Sequence, residues 1–142
     1  MQHELLRNVL LEASQVSHPV TVELVSGPQL VVRISTVGKD WLSGEVEAGQ
    51  ARGVIIPFRS LEAVWARESV ANTMEEKPVG QACMRMALVN LVSLRKQVRV
   101  HTLRHRWNGV LTGAFQDYVV IVGNTGDPVC LPYAAVNFVE VF

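Results

Sequence analysis

One eleven-residue stretch occurs twice in this chain, and that repeat is the feature that most limits its possible folds. The copies read VIIPFRSLEAV at Val54–Val64 and VCLPYAAVNFV at Val129–Val139, and they align without a gap at an offset of 75. Each copy has an apolar run, a proline, an aromatic residue and then alternating apolar residues. Because proline supplies no N–H to a sheet, a central strand cannot run straight through Pro57 or Pro132. Each copy is therefore predicted to form a strand, a sharp bend and a second strand.

The two halves of the chain match over most of their length. Val20–Val37 aligns with Val98–Phe115 at an offset of 78, which falls to 77 at Asp40 and Asp117. Small changes of offset are typical of residues lost in turns, where deletions are tolerated. The pattern therefore indicates a duplicated unit, and the alternative is a chance resemblance between two β-rich segments.

Each half has the pattern of one helix followed by five strands. Apolar residues recur at helical spacing in His3–Val16 and in Gln81–Leu94, and after each segment the period changes to two. Glycine, proline and aspartate mark short turns between the alternating segments. We therefore predict a mainly β fold with short helices. It would consist of a small antiparallel barrel in residues 1–67, a linker at 68–78 and a second barrel in 79–142.

Composition excludes several classes of protein. The 142 residues are 49% hydrophobic and 18% charged, which is enough to bury a core, and the net charge is zero. The most apolar window, Cys83–Leu94, contains Arg85 and Asn90 and is too short to span a bilayer, so no membrane partner is expected. The two cysteines, Cys83 and Cys130, form no CxxC pair. Such usage favours a reduced, cytoplasmic setting, and Cys130 is expected to be a small buried residue of a strand.

The helix, the five strands, the aspartate–aromatic turn before the third strand and the bend after the fourth resemble the Sm-like proteins. That superfamily includes the eukaryotic Sm and LSm proteins and the bacterial RNA chaperone of Sm type. The resemblance covers both halves and implies two tandem Sm-like barrels, each with an N-terminal helix and five antiparallel strands. It implies RNA contacts at the turn between strands two and three and at the bend between strands four and five. By position, these candidates are Lys39, Asp40, Trp41, Arg59 and Tyr118.

The second half carries a basic stretch. Residues 1–78 hold seven Lys and Arg against ten Asp and Glu, a net charge of −3, whereas residues 79–142 hold six against three, a net charge of +3. The basic stretch covers Arg95–Trp107, and a predicted turn at Arg104–Asn108 overlaps its end. Cations next to an aromatic ring are what phosphate binding and base stacking need, and the alternative is a solvated strand face and turn. The RNA-binding candidates here are Arg99, Arg104, His105, Arg106 and Trp107. His101 is expected on the same strand face as Arg99, because side chains alternate.

No catalytic or metal-binding motif is visible in the sequence. The four histidines lack metal-ligand spacing, and no Ser-His-Asp signature or phosphate-cradling glycine loop occurs. We therefore expect no enzyme activity, no cofactor, no metal and no small-molecule substrate. The sequence favours a non-catalytic binding module that binds RNA. The alternative is a protein–protein interaction or assembly module without nucleic-acid binding.

Strand edges without a partner suggest self-association as well. The apolar runs Val54–Ile56 and Val129–Leu131 carry no charge that would prevent edge pairing. We expect the two halves to pack together and the chains to form a homo-oligomer through strand edges. Three chains in a ring of six barrels would be the simplest closed form, and a dimer the next.

Overall fold

The computed structural model describes residues 2–16, 19–47, 49, 51–65 and 83–142. The predicted linker at 68–78 lies outside the described residues. Two α-helices and ten β-strands are found in this part of the chain. They are α1 (Gln2–Val16), β1 (Val20–Leu24), β2 (Gln29–Val37), β3 (Trp41–Val46), β4 (Gly53–Pro57), β5 (Leu61–Trp65), α2 (Met84–Leu94), β6 (Gln97–Thr102), β7 (Arg106–Ala114), β8 (Tyr118–Val122), β9 (Pro128–Pro132) and β10 (Val136–Val141).

A short 3-10 turn follows the proline in each copy of the repeated stretch. Phe58–Ser60 separates β4 from β5, and Tyr133–Ala135 separates β9 from β10. Pro57 and Pro132 stand just before these turns with extended backbones, which suits the fixed φ of proline. The predicted sequence of strand, bend and strand is therefore confirmed in both copies.

The first half buries its apolar residues between α1 and the sheet. Helix α1 lies against β2, with Leu10 and Ala13 buried. Strand β1 alternates as the sequence predicts, with Val22 and Leu24 inside. In the second half, α2 lies against β7 in the same way, and its Leu88 is fully buried. Hydrophobic burial on one face of each sheet segment thus holds each helix in place.

All ten strands belong to one antiparallel sheet in the order β5-β1-β2-β3-β4-β10-β6-β7-β8-β9. Strand β10 pairs with β6 of its own half and with β4 of the first half, so that Val139 lies opposite Ile55. The mainly β, antiparallel character is as predicted, but two separate barrels are not confirmed, because the sheet runs through both halves. The physical reason is that β4 would be an edge strand within the first half alone. Its outer N–H and C=O groups would then lack partners, and β10 supplies those partners. The halves pack together as expected, and β5 and β9 end the strand order.

The two cores exchange residues across this junction. Trp41 and Ile55, from β3 and β4, pack in the core cluster of the second half, and each is only 5% exposed. Phe138 of β10 packs in the core cluster of the first half. Apolar contacts therefore join the halves on both sides of the β4–β10 pair, in addition to the backbone pairing.

Backbone hydrogen bonds at the bends repeat between the halves. The amide of Phe58 donates to the carbonyl oxygen of Asp40 at 2.8 Å, and the amide of Tyr133 donates to that of Asp117 at 3.0 Å. These pairs are related by the offsets of the sequence alignment. The duplication read from the sequence is thus repeated in the backbone, which argues against a chance resemblance.

Two local expectations are wrong. The turn predicted at Arg104–Asn108 is shorter, because β7 begins at Arg106 and Thr102 closes the turn by bonding to His105. The last three residues of that segment instead pair with β6, where Trp107 lies opposite Val100. Cys130 is exposed and not buried, because the next residue, Leu131, occupies the face of β9 that packs in the second core and successive side chains of a strand point to opposite faces.

Candidate nucleic-acid interface

The ten residues proposed from the sequence fall into two groups in the structure. The first group lies around the turns that precede β3 and β8 and at the bend after β4. The second group lies on β6, on β7 and on the turn between them. The first group comprises Lys39, Asp40, Trp41, Arg59 and Tyr118, and the second comprises Arg99, Arg104, His105, Arg106 and Trp107.

Arg59 connects the two halves. Its Nη2 donates to the carbonyl oxygen of Val136 at 2.6 Å and also to that of Tyr133, both in the bend of the second half. Burial lowers the pKa of the Arg59 guanidinium, and the nearby Asp40 carboxylate raises it. The side chain therefore satisfies backbone acceptors at the end of the junction, which is a structural task.

The two aromatic residues of the first group differ in exposure. Trp41 lies in the second core, so its ring is not a surface for base stacking. Its counterpart in the repeat, Tyr118, is half-buried and stacks on Phe115 with ring centroids 4.9 Å apart. The hydroxyl of Tyr133 donates to the carbonyl oxygen of Phe115 at 2.5 Å, and burial raises the pKa of Tyr133. Of the two, only Tyr118 is near a partly open aromatic surface.

Lys39 and Asp40 are both exposed. The carbonyl oxygen of Lys39 accepts a hydrogen bond from Arg7 of α1, and that of Asp40 accepts one from the amide of Phe58. Their backbones therefore fix the turn against α1 and against the bend after β4. Aspartate in a tight turn is expected on conformational grounds alone.

Three residues of the second group, Arg104, His105 and Arg106, line a groove between the two halves. One wall is the turn between β6 and β7, and the other is the turn between β1 and β2 of the first half. The groove has a volume of about 410 Å³ and is open to solvent. Its lining residues are Ser26, Pro28, Leu30, His101, Thr102, Leu103, Arg104, His105, Arg106, Phe138 and Glu140.

Arg104 and Arg106 form the basic rim of this groove. Both side chains are exposed, and neither forms an ion pair with any of the described residues. The turn between β6 and β7 is held by the Thr102 hydroxyl, which donates to the carbonyl oxygen of His105 and accepts from the His105 amide. This tight turn projects Leu103, which is 77% exposed, to the outside. Two cations with free hydrogen-bond donors thus stand beside an exposed apolar residue.

Two rings and a carboxylate form the floor. His101 stacks on Phe138 with centroids 4.0 Å apart, and its Nε2 contacts Oε1 of Glu140. Burial lowers the pKa of His101, whereas its hydrogen bond to the Glu140 carboxylate and the negative charge of that carboxylate raise it. The balance is a lowered pKa, so near neutral pH this imidazole is predominantly uncharged. The floor is therefore largely apolar and planar, with its one carboxylate already engaged.

Arg99 and Trp107 are engaged in other contacts. Nε of Arg99 donates to Oδ1 of Asn108 at 2.7 Å, and its guanidinium lies over the ring of Phe142. Arg99 lies on the same strand face as His101, as expected, because both contact Glu140. Trp107 packs against the second core, and His105 meets it edge to face at 5.7 Å. The buried Nε1 of Trp107 has no hydrogen-bond partner among the described residues.

Sequence reasoning missed the half of the groove that comes from the first half of the chain. Ser26 and Pro28 belong to the turn between β1 and β2, Leu30 lies in β2, and none of the three carries a charge that would mark it as a binding residue. The available signal was the repeat, because Ser26 and Pro28 align with Arg104 and Arg106 at an offset of 78. The groove thus lies between two equivalent turns of the duplicated unit.

Two other kinds of feature are absent from the described residues. Within the described residues, no group of three or more His, Cys, Asp and Glu could hold a metal ion. No helix in that same part of the chain is long and apolar enough to cross a membrane. Comparisons with models of known families, with curated proteins and with solved structures found no significant match to this chain.

Proposed function

We propose that this chain is a non-catalytic binding module that takes single-stranded RNA in the groove between its two halves. The observation that supports this most is the pair Arg104 and Arg106, which stand at the rim without a carboxylate partner among the described residues. Unpaired arginines present donors that fit the oxygens of a phosphate. The net charge of the chain is zero, so the attraction must be local to this groove.

The remaining lining suits a nucleotide better than a bare anion. Pro28, Leu30 and Leu103 offer apolar surface near the arginines. A volume of about 410 Å³ lies within the range of small-ligand sites. Single strands expose their bases for contacts of this kind, whereas a duplex hides them. Among the ten candidates, Arg104, His105 and Arg106 therefore carry the proposal, and Trp41 and Arg59 are not part of it.

The direct test is the salt dependence of binding to a short single-stranded RNA of mixed sequence, followed by fluorescence anisotropy. The double variant Arg104→Ala, Arg106→Ala should bind at least about tenfold more weakly at low salt, because two charge-assisted contacts are lost. Its plot of log affinity against log salt should be shallower by about 1.4, or ~0.7 for each phosphate contact of a single strand.

A matched control removes the same charge elsewhere. Arg85 and Lys96 are exposed and lie outside the lining of the groove. The double variant Arg85→Ala, Lys96→Ala should keep most of the affinity. Equal losses of affinity in both double variants would show that the effect comes from the overall charge of the protein and not from the groove. Unmodified protein without salt-sensitive binding would refute the proposal.

A second candidate is a protein–protein interaction or assembly module. It is favoured by β5 and β9, each of which pairs on one side only within the described sheet. A strand with unpaired N–H and C=O groups can accept another strand, in this case from a partner protein or from another copy. An assembly module would form a defined oligomer that persists after nuclease treatment, whereas an association that depends on RNA would not persist.

We also keep the Sm-like resemblance as a hypothesis about the halves. It is supported by the strand order, in which β5-β1-β2-β3-β4 recurs as β10-β6-β7-β8-β9, each with a helix against its second strand. The cytoplasm stays the proposed location, because Cys83 and Cys130 are both free thiols.

A further inference from the structure

Glu140 is the one acidic side chain among the described residues that line the groove. It belongs to β10, lies at the floor and is 17% exposed. His101 contacts its Oε1, and Nη1 of Arg99 lies 3.8 Å from that same oxygen. The other oxygen, Oε2, has no hydrogen bond or ion pair within the described part of the chain. The floor therefore keeps acceptor capacity that the protein itself does not use.

Strand pairing puts the basic rim and this carboxylate on one face of the sheet. Arg106 of β7 lies opposite His101 of β6, which in turn lies opposite Phe138 of β10. Glu140 follows Phe138 by two residues and lies opposite Arg99, so all of these side chains share a face. From the spacing of strands and residues, the Cα atoms of Arg106 and Glu140 are about 12 Å apart. This span is comparable to that of a nucleotide from the edge of its base to its phosphate.

The groove thus carries opposite charges at its rim and at its floor. Arg104 and Arg106 attract a phosphate, whereas the carboxylate below them repels one. A complementary ligand has an anion at one end and N–H donors at the other. A nucleotide is built in this way, because its phosphate and the Watson–Crick edge of its base lie at opposite ends.

Apolar side chains stand on both walls beside the carboxylate. Pro28 and Leu30 line the groove on the side of the first half, and Leu103 lines it on the side of the second. Leu103 is 77% exposed, so contact with a bound ring would remove apolar surface from water. The walls therefore suit the flat faces of a base, and the floor suits its edge.

We propose that the groove selects guanosine within a single-stranded RNA, with the N1–H and N2–H groups of the base donating to the Glu140 carboxylate. This inference rests on the proposed function, since Arg104 and Arg106 would hold the adjoining phosphate. An ionised carboxylate only accepts hydrogen bonds and has about four acceptor sites, so the contact with His101 leaves room for two more. Glu140 is then a specificity-determining residue of the RNA site.

The other three common bases present the wrong groups to a carboxylate. In adenine and cytosine, the amino group stands next to a ring nitrogen whose lone pair would face a carboxylate oxygen. Uracil has a single N–H between two carbonyl oxygens, which creates the same conflict. Guanine alone has two neighbouring donors on its Watson–Crick edge, and single strands leave that edge free. Selection would thus come from repulsion of the wrong bases as well as from attraction of the right one.

The RNA supplies the sharpest test, because inosine differs from guanosine only by the loss of the 2-amino group. The probe is a short strand of uridines with one guanosine at its centre. Fluorescence anisotropy compares it with strands that carry inosine or adenosine at that position. We expect the inosine strand to bind at least about tenfold more weakly, because one hydrogen bond to a charged group is lost. The adenosine strand should bind no better than the inosine strand.

The variant Glu140→Gln tests the protein side of this contact. One carboxylate oxygen becomes an NH₂ donor that opposes the donors of guanine, so the preference for guanosine over inosine should fall below about threefold. Glu62→Gln is the matched control, because Glu62 is exposed, lies outside the lining of the groove and loses the same charge. It should keep the preference of the unmodified protein. The double variant Arg104→Ala, Arg106→Ala should weaken the binding of both strands by similar factors.

The outcomes separate base selection from RNA binding as such. Salt-sensitive binding of all three strands with equal affinity would overturn the selection of guanosine and leave the proposed function in place. A preference that persists in Glu140→Gln would overturn the role of Glu140. If GMP displaced the guanosine strand at equal concentration, the ligand would be a free nucleotide and not a strand. Absence of binding to every strand would overturn both this inference and the proposed function.

Discussion

The imidazole of His101 lies flat against the phenyl ring of Phe138, with centroids 4.0 Å apart and planes 9° apart. His101 belongs to β6, and Phe138 reaches from β10 into the core of the first half. The stack therefore places a titratable group where the two halves meet. Burial lowers its pKa below 6.5, the Glu140 contact raises it, and the cations Arg99 and Arg106 lower it further, with a lowered pKa as the net result.

This depressed pKa predicts how stability depends on pH. Above pH 6.5, His101 is neutral in both the folded and the unfolded chain and makes no difference. As pH falls through 6.5, the unfolded chain binds a proton that the folded chain does not, so the free energy of unfolding decreases until the folded pKa is reached. The denaturation midpoint in urea should therefore fall between about pH 7.5 and about pH 5.5.

The variant His101→Gln isolates this contribution. Glutamine does not titrate and can still donate to Glu140, so the fall in this pH window should become smaller. His105→Gln is the control, because it makes the same substitution at an exposed histidine outside the His101–Phe138 stack. An identical pH profile for wild type and His101→Gln would contradict the assignment.

Arg59 predicts a measurable loss of stability at the junction. Arg59→Ala removes two hydrogen bonds from a cation to the backbone of the second-half bend. Hydrogen bonds to charged groups contribute about 1.5–3 kcal/mol, and partial exposure to solvent reduces this value, so we expect a loss of about 1–2 kcal/mol in urea denaturation. Arg52→Ala is the control, since Arg52 is exposed and contacts Val141 only through its backbone amide. A loss no larger than that of the control would show that the contact is energetically neutral.

Much of the fold follows from the sequence, because alternation and turn residues act locally. Strand β3 runs from Trp41 to Val46, as the alternation predicts, and β8 begins at Tyr118 after the aspartate turn. The sequence predicts a start of β7 that is too late, because it assigns Arg106, Trp107 and Asn108 to a turn. Their pairing with β6 overrides that local preference.

The candidate site was less accessible from the sequence. Arg104 and Arg106 stood out by charge, but the residues facing them are uncharged and come from the other half. Local patterns also do not distinguish Trp41, which is buried at the junction, from Tyr118, which is half-buried at a free end. Only the pairing of β4 with β10 decides which aromatic residue is covered, and that pairing joins segments far apart in the chain.

The exchange of core residues predicts that the two halves unfold together. Phe138→Ala would remove a ring from the first core although the residue belongs to the second half, at a cost of about 3–5 kcal/mol. Hydrogen exchange followed by NMR should show protection falling in parallel at Leu42 in the first half and at Val98 in the second. Loss confined to one half would show that the halves unfold independently. Val92→Ala is a control, because this half-buried residue packs only at the margin of the second core.

Gly109 predicts the sharpest local effect of a single methyl group. It lies in β7, and a Cβ at this position would meet the carbonyl oxygen of Val122 at only 2.2 Å. Because that atom is backbone within the neighbouring strand, it cannot move aside without opening the ladder between β7 and β8. Gly109→Ala should therefore lower the free energy of unfolding by about 3 kcal/mol, the upper end of the usual cost of overpacking.

Gly53 provides the control for this prediction. It also lies in a strand, but a Cβ there would have its nearest neighbour at 3.5 Å, an ordinary contact distance. Gly53→Ala should therefore change the free energy of unfolding by less than about 0.5 kcal/mol, as is usual away from packed sites. Parallel urea titrations of the two variants measure the difference directly. Equal midpoints would mean that β7 and β8 do not approach as closely at Gly109 as this pairing requires.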